Sequence, residues 1–312
     1  MRHLRLCLLL ALSLAYAPSG RCEASAFLPG ERVLFEAHNC YPYHGFWNNR
    51  LDKALNAGCP LAIEIDVMWD IKKETGTGRL VVAHNEPLTG KEPTLQDYFF
   101  ERIRLIVEKA LTSGDQTDWP LITLNINDIR SRHIDAYETL KTLTDTYAPW
   151  LCSAVKGNDN SVIMPMDVKP VLVLTNGNRY AEKCFHEDIR EGEALRLFGA
   201  GSPNTAADNF RRWINYSWRA VEPEGQPNAT AWNQEKKARL QQLVENAHEK
   251  GYWIRFYSLN GHPITATARV GLSPGYNFGS FEKVQTRWEA AVNAGVDFIA
   301  TDQITDAKAA PS

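Results

Sequence analysis

The sequence predicts a single-domain (β/α)8 barrel. Short β-branched runs alternate with helical patterns, giving roughly eight strand candidates along the chain. The 312-residue length suits such a barrel. No GxGxxG or Walker motif follows the first strand, which disfavours an open doubly wound sheet.

The elements read in order as follows. Residues 33–37 form a strand leading into His38, and a helix over about 48–57 ends at Gly58. Residues 61–67 and 80–83 are the next two strands, separated by the polar turn 72–78. Residues 94–111 carry helical spacing, 121–127 form a strand, and a helix covers about 133–147. Residues 171–174 are a buried-strand run closed by Asn176-Gly177, with further strand candidates at 195–198 and 218–221. Leu240, Leu243, Val244 and Ala247 share one face of a helix that stops at Gly251. Strands over 252–259 and 296–301, with a helix over 281–293 between them, complete the set.

The first residues stand apart. Arg2, His3 and Arg5 precede an apolar run, Leu6 to Ala17, followed by small residues, the pattern of a secretory signal peptide. Ala15-Tyr16-Ala17, Cys22-Glu23-Ala24 and Ala24-Ser25-Ala26 are alternative cleavage signatures, so the leader is placed at residues 1–24 and the barrel at 27–312. An uncleaved anchor is the competing reading. The run is too short to span a bilayer by itself, and no second run approaches that length, so the mature chain is expected to be secreted or otherwise extracytoplasmic. In that compartment Cys40, Cys59, Cys152 and Cys184 could form two disulfides, Cys40–Cys59 and Cys152–Cys184 being favoured because each closes a local loop. A net charge of -3 and an apolar fraction of 44% offer no basic surface for nucleic acid.

The chemistry concentrates around Glu64-Ile65-Asp66. Alternate strand residues share a face, so both carboxylates project together, and oxygen ligands at this spacing suit Ca2+ or Mg2+. His38 and His84 end the flanking strands, and parallel barrel strands bring their C-terminal ends to one rim. Two imidazoles can divide general-base and general-acid roles near neutral pH.

Ala37-His38-Asn39, residues 51–58 ending Ala57-Gly58, Ile63-Glu64-Ile65-Asp66-Val67 and Val81-Val82-Ala83-His84-Asn85 together resemble the phospholipase-C-like phosphodiesterase superfamily, which includes glycerophosphodiester phosphodiesterases and phosphatidylinositol-specific phospholipases C. Residues 251–260 and 294–302 resemble its last two strands. The resemblance implies a metal-dependent phosphoric diester hydrolase with His38 and His84 as the acid–base pair. It implies Glu64 and Asp66 as metal ligands, joined by Asn39 or Asn125, and Arg255 near the phosphate. The implied substrate is a glycerophosphodiester or a lipid head group. His38 is the favoured base and His84 the favoured acid, an order the residues alone do not fix. The family's third carboxylate and the Lys two residues on are replaced by Asn125 and Asn127, which removes a positive group from beside the phosphate. These departures support a second reading, a barrel that binds metal or phosphate without turnover. Sequons at Asn215 and Asn228, and a turn-rich loop over 273–279 bordering the site, complete the expectations.

Overall fold

A computed structural model describes residues 28–42, 48–72, 75–114, 120–265 and 273–309; the leader lies outside the described residues. In chain order the elements are β1 (Leu34–Ala37), α1 (Arg50–Asn56), β2 (Leu61–Glu64), β3 (Val67–Ile71) and β4 (Gly78–Val82). Next come α2 (Glu101–Ser113), β5 (Ile122–Ile126), α3 (Ile134–Thr146), β6 (Ser153–Val155), β7 (Met166–Asp167) and β8 (Val171–Thr175). The rest are α4 (Arg179–Glu182), β9 (Ala194–Leu195), β10 (Phe198–Ala200), β11 (Arg211–Ser217), α5 (Gln234–Glu249), β12 (Trp253–Tyr257), α6 (Phe281–Asn293), β13 (Phe298–Thr301) and α7 (Ile304–Ala309). Eight parallel strands close into a barrel in the order β1-β13-β12-β11-β10-β8-β5-β2, as the alternation of strand and helix patterns predicts. No helix among the described residues is long and apolar enough to cross a membrane.

Strand alternation gives the barrel two surfaces. Outward residues such as Ile63, Leu124 and Val173 pack against Phe99, Phe100, Ile103 and Leu140 of the helical layer. On the other side, Ile214, Ile254, Phe256 and Ile299 meet Leu240, Val244, Val284 and Trp288. Each such side chain contributes about 1.5–3 kcal/mol by leaving water. The inward residues start with an apolar layer of Leu34, Ala62, Leu172, Phe198, Trp213, Trp253 and Phe298. One step towards the C-terminal rim, the inward set turns polar, with Glu36, Glu64, Asn125 and Arg255 all buried.

Two strand expectations need correction. The 80–83 run is β4, which pairs antiparallel with β3 as a hairpin outside the barrel. This arm has its own small core of Met68, Val81 and Ala83. Residues 218–221 form a 3-10 turn rather than a strand, and the barrel uses Arg211–Ser217 in that place. That segment mixes Arg211, Arg212, Asn215 and Ser217 with Trp213 and Ile214, so its apolar periodicity is weak. At the rim Gly177 is required, because a Cβ there would sit 1.9 Å from the carbonyl oxygen of Ala200.

The disulfide expectation is also corrected, since Cys40, Cys59, Cys152 and Cys184 are all free thiols. Cys40 bonds the carbonyl of Glu64 at the C-terminal end of β2, whereas Cys59 precedes the N-terminal end of that strand. A strand of that length keeps their Cα atoms well beyond the roughly 7 Å a disulfide permits. The Cys152 thiol donates to the Lys169 carbonyl (3.2 Å) beneath the barrel, while Cys184 packs in the helical layer.

Candidate active site

The C-terminal rim gathers His38, Glu64, Asp66 and His84. His38 follows β1, is 6% exposed, and its amide bonds the Thr301 carbonyl of the neighbouring strand (3.1 Å). Its Nδ1 lies 2.9 Å from Asp302 Oδ1 and its Nε2 lies 3.3 Å from Glu64 Oε2. Asp302 is itself clamped by buried Arg50, whose Nη1 donates to Asp302 Oδ1 (2.6 Å) and to the His38 carbonyl (2.7 Å). Helix α1 thus braces the imidazole from behind.

Glu64 is the last residue of β2, and Asp66 lies in the link to the hairpin rather than on the same strand. Asp66 Oδ2 accepts from the Tyr41 hydroxyl (3.2 Å) and lies 3.6 Å from His84 Nε2. His84 follows β4, so the hairpin rather than a barrel strand delivers it to the rim. Its Nε2 accepts from Arg130 Nη2 (2.7 Å), and the Tyr41 ring packs 5.1 Å from it. Tyr257 stacks 6.3 Å from His38 and meets Tyr276 edge-on, which places the 273–279 loop beside the site as predicted.

Arg255 is corrected. It is 1% exposed and lies inside the barrel below the rim, paired with Glu36 and with Glu64 Oε1 (3.2 Å). Its Nη1 donates to Asn215 Oδ1 (3.0 Å). It neutralises the buried carboxylates. Of the two sequon asparagines, Asn215 is part-buried and Asn228 is exposed.

The electrostatics divide the two histidines. Burial opposes the His38 imidazolium, but Glu64 and Asp302 outweigh it and hold its pKa above the ordinary 6.5. His84 is pushed below that value by burial and by Arg130. Asp302 is held far below the usual carboxylate range: burial opposes this, but Arg50 and His38 prevail. Burial and the charge of Glu64 push Asp66 well up.

A stability prediction follows. A raised folded pKa at His38 gives stabilisation that is complete below its unfolded value of about 6.5 and is lost as pH rises through the folded value. The depressed Asp302 gives the opposite sign, with stabilisation present above about pH 3.9 and lost on acidification. The excess thermal stability of the wild type over His38→Gln should therefore shrink as pH is raised from about 6.5. A difference independent of pH in calorimetric melts would disprove the ion pairing.

The expected ligands do not fit a divalent metal as arranged. Glu64 Oε1 faces Arg255, and Oε2 faces His38 and the Asn39 amide (3.3 Å). The Asn39 side-chain oxygen is taken by the Tyr41 hydroxyl, with Asn39 in the left-handed region at φ 58°. Asn125 is buried below the rim, and its amide nitrogen donates to Glu36 (3.2 Å). Among the described residues no group of three His, Cys, Asp or Glu side chains could hold a metal ion. Protein cations already oppose Glu64 and Asp66, and the Asn39 side-chain oxygen and Asn125 amide nitrogen are engaged within the protein.

Several site residues were not predicted as such. Glu36 stands two residues before His38 on the same strand face, a signal that alternation could have supplied. Arg50, Tyr41 and Arg130 come from a helix and two connections, where no periodicity marks them.

The comparisons with known proteins agree with the barrel at the level of fold. No protein-family model and no curated protein matches the chain. Among solved structures, the phosphatidylinositol-specific phospholipase C of Listeria monocytogenes is similar, with a TM-score of 0.51 and 13% identity over 90% of this chain and 93% of that one. A glycerophosphoryl diester phosphodiesterase from Parabacteroides distasonis also matches, with a TM-score of 0.41 and 14% identity over 91% and 86% of the two chains. So does a calcium-dependent phosphoinositol-specific phospholipase C from a Pseudomonas species, with a TM-score of 0.43 and 12% identity over 88% and 89%.

Proposed function

We propose that this chain is a phosphoric diester hydrolase acting through His38 and His84 on a glycerophosphodiester or phospholipid-type substrate. The observation that carries the reading is the convergence of two histidines with opposite pKa shifts around Glu64 and Asp66, on the rim where barrels of this type hold their reactive groups. In the step, a hydroxyl oxygen of water or of the substrate bonds to phosphorus as the bond to the leaving oxygen breaks. One histidine takes the hydroxyl proton and the other delivers a proton to the leaving oxygen. In the resting protein the raised pKa of His38 favours its protonated form and the lowered pKa of His84 its neutral form. The order with His38 as base and His84 as acid therefore requires the substrate to reverse that distribution. A bound anion does so by drawing Arg130 away from His84 Nε2. The leader-like residues 1–24 support an extracytoplasmic location.

Hydrolysis of bis(p-nitrophenyl) phosphate, glycerophosphocholine and phosphatidylinositol vesicles tests the reading. Because the carboxylates are opposed by protein cations, turnover is expected to survive EDTA and to change little with added Ca2+ or Mg2+. Absence of turnover on the whole set, with inorganic phosphate still bound, would favour the alternative of a binding barrel. Asn125 supports that alternative, since its buried amide oxygen has no hydrogen-bond partner and the charged ligand usual at its position is missing.

A further inference from the structure

The replacement of a lysine by Asn127 leaves the rim without the cation expected on that strand. The same connection restores one three residues later. From Arg130 we infer a phosphate clamp: its guanidinium binds the non-bridging oxygens of the diester and stabilises their charge as the bond to phosphorus breaks. This rests on the phosphodiesterase reading and names the group that holds its substrate.

Three observations support it. First, the backbone of Arg130 is fixed. Its amide donates to the Val67 carbonyl (2.8 Å), the Val67 amide donates to the Asp128 carbonyl (3.0 Å), and buried Ile129 bridges to Val67 between them. The connection is laced to the base of the hairpin that carries His84.

Second, the guanidinium lies against the chemistry. Nη2 is 2.7 Å from His84 Nε2, and Nε is 3.8 Å from Asp66 Oδ2. Parted by a bound anion, these two hydrogen-bonded nitrogens address neighbouring oxygens of one tetrahedral phosphate. Arg130 is then placed to take a non-bridging oxygen while His84 faces the leaving one.

Third, it is accessible. The Arg130 side chain is 34% exposed, against 6% for Arg50 and 1% for Arg255, the other arginines touching the site. Among the described residues its side-chain hydrogen bonds run through Nη2, to His84 and to Asp128 Oδ2 (2.8 Å). A bound phosphate that draws Nη2 off His84 meets Nη2 and Nη1 together as a fork, the geometry for which arginine is suited and lysine is not.

The test compares wild type, R130Q, R130K and D128N in two readouts, diester kinetics in EDTA and calorimetric binding of inorganic phosphate. R130Q is expected to lower kcat by about 10²–10³-fold, the effect of removing one preorganised donor from a developing charge. It should also weaken phosphate binding at least about tenfold, with an unchanged thermal midpoint. R130K is expected to recover phosphate binding more than kcat, because it keeps the charge and loses the fork. D128N separates clamping from mere loop support: a structural role for the Asp128–Arg130 pair would make D128N reproduce the R130Q loss, and we expect it not to. Phosphate affinity and kcat both unchanged in R130Q would overturn the inference. So would turnover abolished by EDTA and restored by Ca2+ or Mg2+, which would give the charge-stabilising role to a metal. If the wild type turns over no diester, the hydrolase reading fails by itself, and the phosphate calorimetry still decides for or against Arg130.

Discussion

Replacing His38 or His84 by asparagine is expected to lower kcat/KM for diester cleavage by about 10²–10⁴-fold each, the usual contribution of a positioned acid or base. The two losses should differ in their pH dependence. Each removal should delete one ionisation from the kcat/KM profile: for His38 the one raised above the ordinary histidine value, and for His84 the one lowered below it. Asparagine keeps a polar group at buried His38, and His84 is partly exposed, so neither change should unfold the barrel. Circular dichroism melts establish this alongside the kinetics. Near-wild-type turnover in either variant would remove that histidine from the mechanism. The double variant should lose little beyond the worse single one if the pair acts as a unit.

Arg255→Met should be the most destabilising single substitution in the barrel interior. The guanidinium donates through Nε to Glu36 Oε1 (2.6 Å) and through Nη1 to Asn215 (3.0 Å), and Nη2 reaches Glu64. Removing it leaves two buried carboxylates with no cation between them, a change that typically costs about 3–5 kcal/mol. In a domain of this size that lowers the melting temperature by roughly 10 °C. Urea unfolding of R255M gives the number directly, and a loss below about 1 kcal/mol would show that the layer does not depend on the pair. R255M with Glu36→Gln should recover part of the loss by removing one stranded charge. R255K should recover little, since an ammonium cannot reach three acceptors in the plane of a fork.

The barrel was legible because strand and helix periods differ, and each buried strand is a continuous β-branched run. Residues 121–127 and 171–174 were found this way. β11 was missed because its inward positions, Asn215 and Ser217, look towards the rim and carry polar groups that break the apolar run. The hairpin was taken for a barrel strand because Leu80, Val81 and Val82 have the same composition as a core strand, and only pairing direction separates the two cases. Of the site, the four residues His38, Glu64, Asp66 and His84 could be read from strand-end placement and do converge. What surrounds them could not. Arg50, Arg130 and Asp302 act through contacts spanning 252, 46 and 264 positions of sequence respectively, and charge partners at such separation leave no local pattern. Arg255 faces inward but lies deeper than the rim, because alternation says which residues face inward and not how deep they lie.

The hairpin arm has one more consequence. His38 is built into a closed cylinder whose girth is set by strand number and stagger. His84 hangs from an arm attached to that cylinder through Val67, Thr94 and the 128–130 segment. The gap between the two imidazoles is therefore not fixed by barrel geometry. Lengthening or tilting the arm widens the jaw without disturbing closure.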